Sequence, residues 1–330
     1  MAGNAIRTLE DARSFLEEVG FCLMYPVRSL PLVPTFMGAY AGSTEGLPEA
    51  KHAFSDPRTQ PATELMVRLL RERIALEVNL PGDISLLISA SLFPFFYALV
   101  GDRNAKALPK IKAQGAKVSP LAIKVFEVLQ KSGPLSKAKL RELVGHEPAH
   151  AALDRALNEL WAILKITRVD YRKEEGAFWD VLYRWAPEAV NQSVGVTAPG
   201  GLTALLSKYL EAVIAADQEE IERFFSTLAP RQRIREAINA LQAARELSFL
   251  SVGARTLIRM TPMAEETKTT KTRTMNKRQL FSNKTPVSET FKSENFEAES
   301  LGGESVKDKS SPRKSPIAKR PADQGRRLRG

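Results

Sequence analysis

One cysteine, Cys22, and three histidines, His52, His146 and His150, are the only thiol and imidazole side chains in this chain of 330 residues. A lone cysteine excludes an internal disulfide framework and thiolate metal clusters, which need several sulfurs at close spacing. A reducing compartment, the cytoplasm, fits that usage. Only His146 and His150 lie close together, and Pro148 stands between them, so they read as exposed or capping side chains and no metal site is expected. There is no G-x-x-x-x-G-K-[ST] phosphate loop and no nucleophile beside a base, so no cofactor is expected either. The paired Gly200 and Gly201 read as an interdomain turn. No basic start leads into an apolar core in the first twenty residues, where Glu10, Asp11, Glu17 and Glu18 intervene, so export is not expected.

Long apolar runs are also scarce. Ile84 to Gly101 carries no charge over 18 residues, which as helix would span about 27 Å, just short of the hydrocarbon thickness of a bilayer. Pro94 interrupts it, serines dilute it and Asp83 and Asp102 flank it. A buried core helix is the expectation, and no membrane partner.

What is abundant is basic charge, and its placement matters. Of the net +10, residues 261–330 hold +7, from 16 basic and 9 acidic side chains, leaving +3 for the other 260 residues. That last segment lacks Trp, Tyr and any sustained periodicity and is dominated by Lys, Ser, Thr, Glu and Pro. Its apolar area is too small to offset an ordering entropy of roughly 1–2 kcal/mol per residue, so it reads as a disordered basic tail. The tail either holds nucleic acid nonspecifically through phosphates or serves only as a solubilising extension.

Residues 118–190 carry the clearest pattern. In VSPLAIKVFEVLQKSG, Ser119 is a helix N-cap, Pro120 suits the first helical position and Gly133 ends the helix. In PLSKAKLRELVG, Ser136 caps and Gly145 stops a second, short helix. Leu153, Leu157, Leu160 and Leu164 give a third helix its apolar stripe, with Arg155, Asn158 and Ala162 on its other face. KITRVDY and FWDVLYRW then read as two strands around the turn RKEEG, with Trp179, Val181, Tyr183 and Trp185 alternating on one strand face. Three helices followed by a hairpin is the order of a winged helix-turn-helix module, in which the third helix enters the major groove of double-stranded DNA.

The order returns, less clearly, at 200–259: GLTALLSKYLEAVIA, then a helix opened by Asp217 with Glu220 as capping-box partner, then PRQRIREAINALQAA and the strand LSFLSV. At the other end, Thr8 with Asp11 opens a helix running to Gly20. The expected fold class is therefore mainly α with small β-hairpins, as tandem winged helix-turn-helix modules: an N-terminal helical module over 1–117, winged-helix modules at 118–190 and 200–259, and the tail at 261–330.

Tandem modules with GPLSKAKLRELVG and ALDRALNELWAILKI…YRWAPEA in the middle one resemble the bacterial AlkZ-like family of crosslink-repair DNA glycosylases, over roughly Thr8 to Arg259. In that family a segment after the first helix resembles G-F-x-Q-x-D-P-I, whose Gln and Asp position water and support the positively charged sugar as the base departs. Here Gly20, Phe21, Pro26 and Val27 match, but the Gln position is Leu23 and the Asp position is Tyr25. Leucine has no acceptor, and a phenol carries no negative charge at neutral pH to balance an oxocarbenium-like centre. The resemblance thus implies a DNA-binding relative that lacks the family's chemistry. Glu64, Glu72 and Glu77 are the nearest replacement carboxylates and read as members of a solvated helical face.

Arg155 and Asn158 are the candidate readers of base edges, since Arg can donate two bonds to guanine and Asn can pair with adenine. Lys137, Lys139 and Arg141 at the second helix, with Lys165, Arg168, Arg172 and Lys173 around the hairpin, are candidate phosphate contacts. Asp154, Glu159, Glu174 and Glu175 lie among them and oppose a duplex. Two other readings therefore stay open: a base-excision glycosylase using other residues, and winged helices that serve protein contacts without DNA.

Overall fold

The computed structural model describes residues 6–43, 57–82, 84–110, 112–113, 116–145 and 148–262. The expected tail, His52 and His146 lie outside the described residues, apart from 261–262 at the start of the tail.

Three successive segments take the same order. In the first, α1 (Leu9–Val19) is opened by the Thr8–Asp11 capping box and closed by Gly20. Gly20 has φ 75°, and a Cβ there would stand 2.5 Å from Lys208 Cγ, so both conformation and close approach require glycine. Then follow β1 (Phe21–Leu23), α2 (Phe36–Ala41) with its Thr35 cap, α3 (Gln60–Arg71), β2 (Ala75–Leu80) and β3 (Ile84–Ser89). The sheet order is β1-β3-β2, all antiparallel.

The expected core helix from Ile84 is instead strand β3 followed by helix α4 (Phe93–Val100). As the central strand, β3 pairs on both sides and is covered on both faces, which accounts for an unbroken apolar run. Pro94 sits in the first turn of α4, where a missing N–H breaks no helical bond.

Two-residue strands β4 (Lys112–Ala113) and β5 (Ala116–Lys117) pair with each other and lead into the middle segment. There Ser119 caps α5 (Pro120–Ser132), β6 (Leu135–Ser136) precedes α6 (Lys137–Val144) with its Ser136 cap, and α7 (His150–Ala162), β7 (Ile166–Arg172) and β8 (Gly176–Val181) follow. The sheet order is β6-β8-β7, again with the first strand beside the last. Strand β8 stops at Val181, not Trp185. Tyr183 and Trp185 belong to a single helical turn, α8 (Leu182–Trp185), before α9 (Pro187–Ser193). The Arg184 side chain fixes that turn, pairing with Asp180 and donating to the carbonyls of Leu129 and Gln130. Leu164 likewise leaves the α7 stripe, adopting φ 54° after the helix has ended.

In the last segment Thr197 caps α10 (Ala198–Val213), the Asp217–Glu220 capping box opens α11 (Gln218–Phe225), and α12 (Arg231–Ala243), β9 (Leu247–Val252) and β10 (Arg255–Met260) follow. Strand β10 adds a second strand where the sequence predicts only LSFLSV. Ala216 bridges Ile258 of β10, standing where the first strand stands in the other two segments. Gly200 and Gly201 are not an interdomain turn but lie in the first turn of α10. A Cβ on Gly201 would come within 2.6 Å of the Phe95 carbonyl oxygen, so glycine lets α10 seat against α4.

The result is mainly helical with small antiparallel sheets. One core joins Phe21, Leu23, Leu76 and Phe93 from the first segment to Tyr209, Phe224, Ile238 and Ile258 from the last. A second belongs to the middle segment, around Phe126, Leu157 and Trp179, and a third packs α1, α2 and α3 beside Cys22.

Candidate nucleic-acid interface and the polar cluster behind it

The segment Gly20–Pro34 contributes side chains to two of these cores. Leu23 is fully buried in the first core, its N–H donating to the Pro34 carbonyl at 2.8 Å, and Leu30 and Val33 fold back into the same core. Tyr25 packs instead against the third core, with Cys22 and Met24. Leu23 and Tyr25 thus serve different cores.

Tyr25 has a further setting. Its hydroxyl is buried without a hydrogen-bond partner among the described residues, as are Oε2 of Glu77 and Nε of Arg168. Burial pushes the Tyr25 phenol above its ordinary value of 10; the neighbouring Thr63 hydroxyl works against this, the Glu77 carboxylate adds to it and Arg168 opposes it. The phenol is therefore neutral at physiological pH. Glu77 is not on a solvated helical face: it lies in β2, 1% exposed, whereas Glu64 and Glu72 are exposed on and after α3. A carboxylate so buried needs a partner, and Arg168 supplies it, with Nη1 3.0 Å from Oε1. The guanidinium also lies 5.0 Å from the Trp161 ring and 5.3 Å from the Trp179 ring. The Glu77 carbonyl accepts from Trp161 Nε1 at 3.1 Å and from Thr167 Oγ1 at 3.3 Å.

The register shift between Arg168 and Asp170 is what brings these groups together. A bulge there re-aims the strand, and both side chains meet the first segment: Arg168 at Glu77, and Asp170 at Arg71, whose Nε donates to Oδ1 at 2.5 Å. This cluster fastens β7 to β2 and α3 and pairs the buried carboxylate with a guanidinium.

The foreseen interface residues divide accordingly. Arg155 and Asn158 are exposed on α7, beside Asp154, which pairs with Lys137 at 2.5 Å. Lys139 pairs with Glu142 on α6, and Arg141 donates to the Pro148 carbonyl and contacts His150. At the hairpin, Arg172 is held by Glu175 and Asp170 and lies 4.3 Å from the Phe178 ring, while Lys173 is exposed. Lys165 is displaced from the expected surface. Its side chain is fully buried, with Nζ 3.0 Å from Asp102, bonded to the carbonyls of Asn104 and Ala107, and over the Phe126 ring. Burial lowers its pKa, and Asp102 opposes that shift. Of the carboxylates that would oppose a duplex, Asp154 and Glu175 are paired and Glu159 accepts from the Ser119 N–H at the start of α5.

No group of three or more His, Cys, Asp or Glu side chains is placed to hold a metal among the described residues. No helix there is long and apolar enough to cross a membrane.

The profile of the DNA glycosylase AlkZ-like family matches residues 58–277, and the chain belongs to that family. Among solved structures it is similar to Streptomyces sahachiroi DNA glycosylase AlkZ, at 14% identity and a TM-score of 0.49, covering 80% of this chain and 67% of that one. No curated protein matches it.

Proposed function

We propose that the chain binds double-stranded DNA in the cytoplasm as three tandem winged-helix units, over 1–117, 118–190 and 200–259, without excising bases by the family's Gln-and-Asp route. The recurring order, with the first strand or bridge beside the last strand, supports the winged-helix reading. The observation that carries the docking is the exposed face of α7, where Arg155 and Asn158 stand free beside the hairpin of β7 and β8. Arg155 and Asn158 read base edges, and Lys137, Lys139, Arg141, Arg172 and Lys173 lie on the flanks where phosphates pass. Arg168 and Lys165 are left out, since one is latched to Glu77 and the other is inside. The tail adds nonspecific phosphate contacts.

Titrating the full chain against undamaged, abasic and alkylated duplexes at two salt concentrations, scoring binding and base release together, tests this. Binding that weakens with salt, loses affinity in Arg155→Ala and releases no base is expected. Base release by the wild-type chain would overturn the noncatalytic part. Absence of binding would leave a protein-contact module. One observation favours an excising alternative: a buried carboxylate, Glu77, lies in the same cluster as Tyr25. That reading requires base release that Glu77→Gln abolishes.

A further inference from the structure

The charge of the folded body is not spread evenly. Residues 1–230 hold 26 basic and 27 acidic side chains, whereas Arg231 to Met260 hold six arginines, two glutamates and no lysine, a net +4 in thirty residues. The whole positive excess of the body therefore lies in α12, β9 and β10. These elements are also unusually open. On α12 only Ile234, Ala237, Ile238 and Leu241 are buried, leaving Arg231 exposed beside Arg235, which is also exposed but pairs with Glu222 at 2.7 Å. By contrast α3, the corresponding helix of the first segment, buries Leu65, Met66, Val67, Leu69 and Leu70 and is packed against β7, so it has no comparable open face.

The hairpin of β9 and β10 is anchored only at its base, through Leu247 and Ile258; from Phe249 to Thr256 every residue is exposed. Antiparallel register puts Leu250, Val252, Arg255, Leu257 and Arg259 on one face, an apolar strip edged by two arginines. The chain reverses after α12, where Arg245 takes φ 62° and Glu246 N–H bonds back to the Leu241 carbonyl. Thirteen helical residues and six strand residues each span about 20 Å, and α12 packs against β9, so helix and hairpin offer surfaces of matching length.

We infer that the arginine face formed by α12 and the hairpin of β9 and β10 is a second duplex-docking surface, taking the sugar-phosphate backbone of DNA. This rests on the duplex-binding reading above. Arginines grip phosphates on either side, and Leu250, Val252 and Leu257 lie against the deoxyribose edge of a groove. Such a surface neutralises charge without reading bases, and it adjoins in sequence the basic residues after 262.

Arg231, Arg245 and Arg255 are exposed and make no ion pair among the described residues, so their replacement leaves packing untouched. The full chain with Arg231→Gln, Arg245→Gln and Arg255→Gln is compared with a control of equal charge, Lys110→Gln, Lys124→Gln and Lys131→Gln, in titrations of an undamaged duplex across salt. Three phosphate contacts predict that the slope of log K against log salt shrinks by about 2–3 in the arginine variant, with affinity down tenfold or more, and by under about 1 in the control. Equal slopes in the two variants overturn the second surface while leaving duplex binding in place. A wild-type chain that shows no salt-dependent binding overturns both. Unchanged melting temperatures establish that each variant is folded.

Discussion

Replacing Glu77 by Gln and Arg168 by Met, singly and together, isolates the contact that fastens the middle segment to the first. The Glu77 side chain is 0% exposed and that of Arg168 23%. Removing one partner of a fully buried pair costs about 3–5 kcal/mol, because the other charge is left uncompensated. Glu77→Gln leaves a guanidinium that keeps two tryptophan faces and some water, so we expect about 2–3 kcal/mol. Arg168→Met leaves a carboxylate with no exposure and one oxygen already unpartnered, and about 3–4 kcal/mol is expected. With both charges gone the double variant has no stranded ion, so its loss falls short of the sum by at least about 2 kcal/mol. Urea unfolding of all four chains measures the cycle, and at about 2 °C per kcal/mol the single variants melt roughly 4–8 °C lower. Losses that add to within about 0.5 kcal/mol would refute the argument, since the two groups would then act independently.

Leu23→Gln with Tyr25→Asp restores the family's residue types, yet no base release is expected from an alkylated duplex, because the two side chains serve different cores; the buried amide should also cost about 1–3 kcal/mol by chemical denaturation. Gly201→Ala drives a methyl group into the Phe95 carbonyl, and a loss of about 1–3 kcal/mol or more is expected in the same assay. Glu222 is held below the usual carboxylate range by hydrogen bonds from Arg235 and Gln218. A depressed acid contributes stability that is present above its unfolded value of 4.5 and is lost as pH falls through the lower folded value. Stability of the wild type should therefore fall more steeply below pH 4.5 than that of Glu222→Gln.

The features that the sequence makes legible are local. Thr8 with Asp11, Ser119, Ser136 and Asp217 with Glu220 each act within three residues, and each caps the helix expected of it. The misreadings share one cause, a partner far along the chain. Glu77 looks solvated until Arg168, 91 residues later, meets it. Lys165 looks like a surface base until the carbonyls of 104–107 close around it. Trp185 fits a strand by alternation, but Arg184 reaches Leu129 and Gln130, more than 50 residues back, and turns the chain into a helix. A single total for the body's charge conceals that its excess sits in one thirty-residue stretch.

The shared core has a consequence for synthesis. The strand that begins at Phe21 and the helix that begins at Phe93 complete their burial only against Tyr209, Phe224 and Ile258, while the middle segment has a core of its own. On a ribosome adding about 5–20 residues per second, the middle segment can close as soon as it leaves the exit tunnel, but the earlier segment stays half-covered for on the order of ten seconds or more. Order of emergence and order of completion are therefore reversed: what is made first is finished last, and a chain cut short after the middle segment would display an oily sheet with nothing to lie on it.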